Sequence, residues 1–544
     1  MKQTLHSPLS RLLREVHAAC TTSVATGVPI DEVLEIRAAR RASLPRRAVL
    51  LGAAAATAAW RPRPARATSA PRVVIVGAGL AGLACARSLW LQRGIAASIY
   101  EWGNEIGGRV STLRGYFADG VIGEQHGEFI SSEHTRMRRL AATYGLALAN
   151  ADAHEGQNSV DTAWFNSQRY TEAALAADWQ SYAWRLFHHA VRVAPSANYL
   201  HADPRARAWD HMSVTDWVAR FLPGGTESPL GALCLANVID EFGGPPEQQS
   251  ALNLIYILGF DASSASGYQP RQEPLLAGSD EKYQVSGGND QIIFGMAGDL
   301  PGGAINLGYQ LVEVRGLSDG TYRCSFATGG STVEVAADHV VLTLPPTTLR
   351  DVRLANISLT PPQHRALRDA TLGTNAKIYL QVAGRPWLAG GYDGTLMTDA
   401  AVCGGWDAGN IQPGGRRAGL FAGFPGGTAG ATLAARYGLA DGDFSQPAPA
   451  ALVTDTLAQL EPAFPGMTAA WQAGPQKAWV TDGNINPRLR GAYSYFKIGQ
   501  YTSFAGAQSL RAGNLHFAGE HTSTEFQGYM EGAVQSGYRA AGEI

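Results

Sequence analysis

Gly77-Ala78-Gly79-Leu80-Ala81-Gly82 sets three glycines at a spacing that can bring a main chain against a pyrophosphate. In that pattern Gly77 permits the tight turn, Gly79 allows close backbone approach and Gly82 lets a helix pack on a strand. Glu101, further along the chain, stands where an acid can hold a ribose hydroxyl. Glu105-Ile106-Gly107-Gly108-Arg109-Val110 adds a second glycine pair and a guanidinium that can be aimed at phosphate. These residues indicate dinucleotide binding and do not separate FAD from NAD. A second kind of chemistry is carried by Lys377, one of only five lysines (Lys2, Lys282, Lys377, Lys477, Lys497) in the chain. Strand alternation through Gly373–Leu380 puts Ala376, Ile378 and Leu380 on one face, and Lys377, Tyr379 and Gln381 on the other. That second face reads equally as a solvated surface or as the wall of a site, where a buried lysine could carry a proton near neutral pH.

The elements that must position these residues follow from the local pattern. Arg72–Val76 is a short β-branched run, as expected of a parallel strand buried on both faces. The glycine turn comes next, then a helical stretch from Leu83 to Leu91, whose N-terminus would offer N–H groups and partial positive charge to phosphates. A further strand, Ala97 to Tyr100, delivers Glu101 at its end.

The C-terminal blocks Asn514-Leu515-His516-Phe517-Ala518-Gly519-Glu520-His521-Thr522 and Gly528-Tyr529-Met530-Glu531-Gly532-Ala533, taken with the N-terminal motifs, resemble the flavin-containing amine oxidase superfamily. Monoamine, polyamine and L-amino acid oxidases belong to it. Ser286-Gly287-Gly288-Asn289-Asp290 and the run Ile305, Leu307, Leu311, Val314 resemble further segments of the same family. The resemblance implies an α/β fold: a Rossmann-type FAD/NAD(P)-binding domain interleaved with an α+β substrate-binding domain. It assigns residues 71–150, 281–350 and 480–544 to the first, and 151–280 and 351–479 to the second. It also implies non-covalent FAD, because Ala492 stands where mammalian monoamine oxidases have the cysteine that bonds the flavin. The implied cofactor contacts are Gly77, Gly79, Ala81, Gly82, Glu101, Gly108, Arg109, Gly127, Glu128, Leu311 (through its backbone, at the adenine), Glu520 and Met530.

For catalysis the resemblance implies Tyr529 and Tyr493 as the aromatic pair flanking the amine, with Lys377 holding a water against the flavin. Gly123-Glu124-Gln125-His126-Gly127-Glu128-Phe129-Ile130 resembles the segment that runs beneath the flavin into the pocket. Members usually have two small residues where this chain has His126-Gly127, so His126 is either a pocket residue or a sign that the backbone differs. His126, Glu128, Tyr493 and Tyr529 are the expected substrate contacts. No arginine occurs between Gly120 and Ser132 to clamp a carboxylate, and Tyr529 replaces a tryptophan common in L-amino acid oxidases. The reading is therefore oxidation of a primary or secondary amine to imine or aldehyde, with dioxygen reduced to hydrogen peroxide. Glu128 and the Asp240-Glu241 pair could attract a second ammonium, which keeps di- and polyamines among the candidates. L-Amino acid oxidation is the alternative, and a flavin-binding scaffold without turnover is the alternative of another class.

Composition bounds the rest. The chain has 544 residues, a formal charge of −2 and 45% apolar residues, an ordinary globular balance that calls for no nucleic-acid partner. Its five cysteines form no C-x-x-C pair, and no histidine–carboxylate cluster has metal-ligand spacing. Arg46-Arg47, an apolar stretch of about 13 residues and Ala65-Arg66-Ala67 read as a twin-arginine leader spanning 1–67, cleaved after Ala67. A docking helix, from the spacing of Leu9, Leu12, Leu13 and Val16, is the other reading of this segment. The apolar stretch is short of the roughly 20 residues a membrane span needs. The protein is expected in the periplasm or outside the cell, with small amines and dioxygen as partners and a homodimer left open.

Overall fold

Val73–Val76 forms a strand in which all four side chains are buried. Its neighbours make a parallel sheet in the spatial order Leu515–Phe517, His339–Leu342, Val73–Val76, Ser98–Glu101, Ile305–Leu307. A computed structural model describes residues 70–151, 160–258, 280–412, 414, 418–440 and 442–544. The expected leader, its cleavage point and Cys20 lie outside the described residues.

Apolar layers cover both faces of the sheet, as a parallel sheet requires. On one side, helix Leu80–Arg93 packs beside the C-terminal helix Met530–Glu543. The first of these helices starts at Leu80, earlier than the apolar pattern suggested, because extended Gly79 forms its N-cap. The two helices cross closely at Gly537, where a Cβ would stand 2.3 Å from the Ala81 carbonyl oxygen. The other face is covered by a four-stranded sheet built from Gln310–Gly316, Tyr322–Thr328, Ser331–Ala337 and Arg353–Ala355.

The second unit contains an eight-stranded mixed sheet in which Ala376–Gln381 lies between Lys477–Asp482 and Leu420–Gly423. Ala376, Ile378 and Leu380 enter its apolar core. Helices between Glu172 and Leu258 form a separate core around Trp179, Phe187 and Trp217. Tyr495, Phe496, Tyr501 and Phe504 pack into this helical core rather than with the nucleotide unit, to which the boundary at 480 had assigned them. Large aromatics there attract the segment because each can remove on the order of 150–250 Å² from water.

Among the described residues no helix is long and apolar enough to cross a membrane. Cys85, Cys234, Cys324 and Cys403 are free and buried.

Candidate active site

The glycine turn is built by close contacts within the protein at two of its three positions. A Cβ on Gly82 would fall 2.0 Å from the Gly77 carbonyl oxygen, and one on Gly77, at φ +106°, would fall 2.5 Å from Thr343 Oγ1. Gly79 differs: the nearest atom to its Cβ would be the Gly107 carbonyl oxygen at 3.7 Å, and the residue lines a cavity of about 600 Å³. Nothing in the protein demands glycine there, whereas a bound group approaching the main chain would. Ala78 and Gly103 donate their backbone N–H groups to the Glu101 carboxylate at 2.8 and 2.7 Å, which fixes this acid at the cavity wall. Helices Leu80–Arg93 and Met530–Glu543 both begin without a side-chain cap, and both beginnings line the cavity. Two sets of uncapped N–H groups and two positive helix ends therefore face one space.

Arg109 joins the distant pieces. Its Nη1 donates to Glu520 at 2.8 Å and to the Ala492 carbonyl at 2.7 Å. Glu520 also accepts from the Ser494 hydroxyl at 2.6 Å and from Gly528 N–H at 2.8 Å. Burial works to raise the Glu520 pKa, but Arg109, His521 and Ser494 outweigh it and hold the carboxyl below its ordinary value. Glu520, expected at the ribityl–phosphate part, thus spends its oxygens on protein partners. Arg109 keeps Nε and Nη2 without a partner among the described residues, and these donors suit phosphate.

Lys377 is buried at 4% exposure, so its strand face is the wall of a site and not a solvated surface. Its Nζ donates to Glu128 at 2.5 Å and to the Glu124 carbonyl at 3.0 Å. Tyr379 donates to the same carbonyl, and Trp406 Nε1 holds the other Glu128 oxygen at 3.0 Å. An ammonium has three donors, so one remains for the cavity that Lys377 lines. The geometry corrects the expectation for Glu128: its charge is compensated by Lys377 and is not free to draw a second ammonium.

Tyr493 and Tyr529 line the same cavity without touching each other, with Ala492 and Lys377 also in its wall. Tyr493 donates its hydroxyl to the Asp240 carbonyl at 2.6 Å. Burial, followed by the charges of Asp240, Glu241, Glu281 and Glu520, raises its phenol pKa well above the ordinary value. Tyr529 packs edge-on against His134, with ring centroids 4.6 Å apart. His126 is a pocket residue: it lines the cavity, and desolvation, then Lys377 and Arg109, push its pKa down to about 3, so it is neutral. Gly127 sits where a Cβ would meet Met530 at 3.1 Å, and both residues line the cavity with Gly108 and Ala81. Leu311 departs from its expected place, since it is buried in the core beneath the sheet and lines no part of the cavity.

Sequence reasoning missed Arg488 and Trp406. Arg488 lines the cavity beside Gly103, where its Nη1 would stand 2.7 Å from an added Cβ. Neither residue lies in a repeat or a spacing that singles it out. Phe129 and Phe424 flank Trp406 at 5.5 and 5.3 Å, so this end of the cavity is aromatic. A groove with phosphate donors at one end and an aromatic chamber at the other fits FAD. Arg109 and the two helix starts would hold its pyrophosphate region.

Comparison with known proteins agrees. A family profile described as flavin containing amine oxidoreductase matches residues 80–544. A flavin-containing amine oxidase of Danio rerio is 23% identical over 494 residues, covering 87% of this chain and 85% of that one. The structure is similar to cyclohexylamine oxidase from Brevibacterium oxydans IH-35A, with a TM-score of 0.69, 22% identity, and 87% and 98% of the two chains covered. Putrescine oxidase bound to putrescine superposes with a TM-score of 0.67 at 20% identity over the same shares. The chain belongs to the flavin-containing amine oxidoreductase family and is an FAD-dependent amine oxidase.

Proposed function

We propose that the protein oxidises a primary or secondary amine to the imine, which hydrolyses to the aldehyde, with dioxygen reduced to hydrogen peroxide. The observation that carries this reading is the meeting of Tyr493, Tyr529 and Lys377 in the wall of one cavity. Bound FAD supplies the redox chemistry, taking a hydride equivalent from the substrate and passing electrons to dioxygen. The chain does the rest. The two phenol rings orient the amine nitrogen and exclude water. Lys377, anchored by Glu128 and the Glu124 carbonyl, presents its remaining N–H to the reacting region. Neutral His126 adds no charge that would repel an ammonium on entry.

Retention of FAD is proposed to be non-covalent, because Ala492 lines the cavity and none of the four described cysteines does. Acid precipitation should then leave all of the flavin in the supernatant. Of the two arginines in the cavity wall, Arg109 is tied to Glu520 and Arg488 lies beside Gly103. Neither is placed by the tyrosines as a carboxylate clamp, which favours amines over L-amino acids. Anaerobic addition of amines should bleach the yellow flavin, and readmission of air should release peroxide. A flavin that stays oxidised with every amine would make the protein a scaffold, and bleaching by L-amino acids alone would reverse the substrate reading.

Export through the twin-arginine route completes the proposal, resting on Arg46-Arg47 and Ala65-Arg66-Ala67. Replacing Arg46-Arg47 with lysines should keep the full-length protein inside the cell, and the mature wild type should begin at Thr68.

A further inference from the structure

Asp240 lies near the end of helix Pro229–Phe242 and lines the cavity. It is 7% exposed, and its carboxylate has no hydrogen bond or ion pair among the described residues. Its backbone carbonyl, by contrast, is held by the Tyr493 hydroxyl at 2.6 Å, so the residue is fixed at the far end of one ring of the aromatic pair. Burying a carboxylate without a partner is costly, and buried polar groups of that kind are rare in folded proteins. Each one asks for an explanation, and here the charges nearby supply it.

The two strongest cations of the inner cavity are compensated, Lys377 by Glu128 and Arg109 by Glu520. Around Tyr493 the net balance is acidic, with Asp240, Glu241, Glu281 and Glu520 all acting on its phenol. We infer that the Asp240 carboxylate is the receptor for a second cationic group on the substrate, and that the preferred substrate is a short diamine. The reacting nitrogen sits between the rings and the distal ammonium reaches past Tyr493 to Asp240. Burial raises the Asp240 pKa to about 7, so a bound cation restores to the ionised form what desolvation removes. Trp406, Phe129 and Phe424 line the space between with apolar surface for the methylene chain.

The inference rests on the amine-oxidase reading above, and one experiment separates the two. Straight-chain diaminoalkanes and the n-alkylamines of equal length are assayed for peroxide release with holoenzyme carrying Asp240, Asp240→Asn or Asp240→Glu. The quantity read is the ratio of kcat/KM for each diamine to that for its monoamine, which a general folding defect does not change. In the wild type the ratio should favour diamines. Asp240→Asn should lower it roughly ten- to a hundredfold, through KM, as expected for loss of a charge-assisted contact. Asp240→Glu should restore the preference at a shifted chain length. A ratio that Asp240→Asn leaves within about twofold of the wild type, while both amine classes turn over, overturns the role of Asp240 alone. A wild type that oxidises no amine overturns the reading beneath it. An equal fall in kcat for both classes would mean that Asp240 acts on the reacting nitrogen, and would also overturn the inference.

Discussion

The two ends of the cavity are made of different material. The nucleotide end is main chain: a turn, two helix starts and glycines whose missing Cβ atoms set the clearances. The amine end is side chain: Lys377, Glu128, Tyr493, Tyr529 and Asp240 arrive from five separate segments. A backbone site is local and stiff, so it depends on a few close contacts within one motif. A side-chain site depends on long-range pairing, and each member can be altered without dismantling the others.

The largest effects should come from the backbone end, where two glycines of one motif ought to behave differently. Gly82→Ala forces a Cβ to within 2.0 Å of the Gly77 oxygen, and should lose both bound flavin and about 1–3 kcal/mol of stability or more. Gly79→Ala has φ −82° and no protein atom nearer than 3.7 Å. It should keep the apo-protein stable to within about 0.5 kcal/mol yet lose flavin. Flavin absorbance per mole of protein, read beside apo-protein melting, checks both. Equal melting losses in the two variants would erase the distinction between a packing glycine and a cofactor glycine.

This contrast also explains what could be read in advance. The strand, turn, helix and Glu101 lie within one short stretch, so spacing alone located them. Lys377 was half legible: alternation sorted its face correctly, but whether that face met water or a cavity depended on residues 109–128 folding over it. Its partner Glu128 is 249 residues away, and no local pattern announces such a pair. Tyr495 to Phe504 were assigned to the nucleotide unit because they precede its last strand. Their burial against Trp-rich helices is a tertiary choice that periodicity does not carry.

At the side-chain end the largest effect should follow Lys377→Met. Loss of its N–H donors should slow flavin reduction or reoxidation by about 10²–10⁴-fold, the usual range for a positioned proton-carrying group. It also strands Glu128 as a buried charge, which should cost about 3–5 kcal/mol. Adding Glu128→Gln to Lys377→Met should recover most of that stability and none of the rate, as stopped-flow absorbance and thermal melts would show. Near-normal kinetics in the single variant would remove Lys377 from the reaction. Smaller still is Tyr493→Phe, which keeps the ring and loses only the bond to the Asp240 carbonyl. One neutral hydrogen bond is worth about 0.5–1.5 kcal/mol, so kcat/KM should change by less than about tenfold. A larger loss would give the hydroxyl itself a part in the chemistry.

The smallest effect tests whether the side-chain end also sets the pH response of the fold. Glu124 lies just behind Lys377 but does not line the cavity, and its carboxyl bonds Thr112 Oγ1 and Asn289 N–H. Burial, reinforced by Glu128, raises its pKa to about 8 from an ordinary value of 4.5, although Asn289 and Thr112 pull the other way. The folded chain therefore holds a proton that the unfolded chain releases between about pH 4.5 and about pH 8. Stability from this group is complete below the lower value and is lost as pH rises through the upper one, by up to ~1.4 kcal/mol per unit. Glu124→Gln carries a neutral isostere at every pH, so its melting temperature should gain on the wild type steadily across that window. Asp240 and Asp407, also raised by burial, tilt both proteins in the same direction and cancel in the difference. A constant offset between the two melting curves would mean that Glu124 stays ionised in the fold. Its neutralisation would then have to come from Lys377, and the Lys377–Glu128 pair would be a three-body cluster instead.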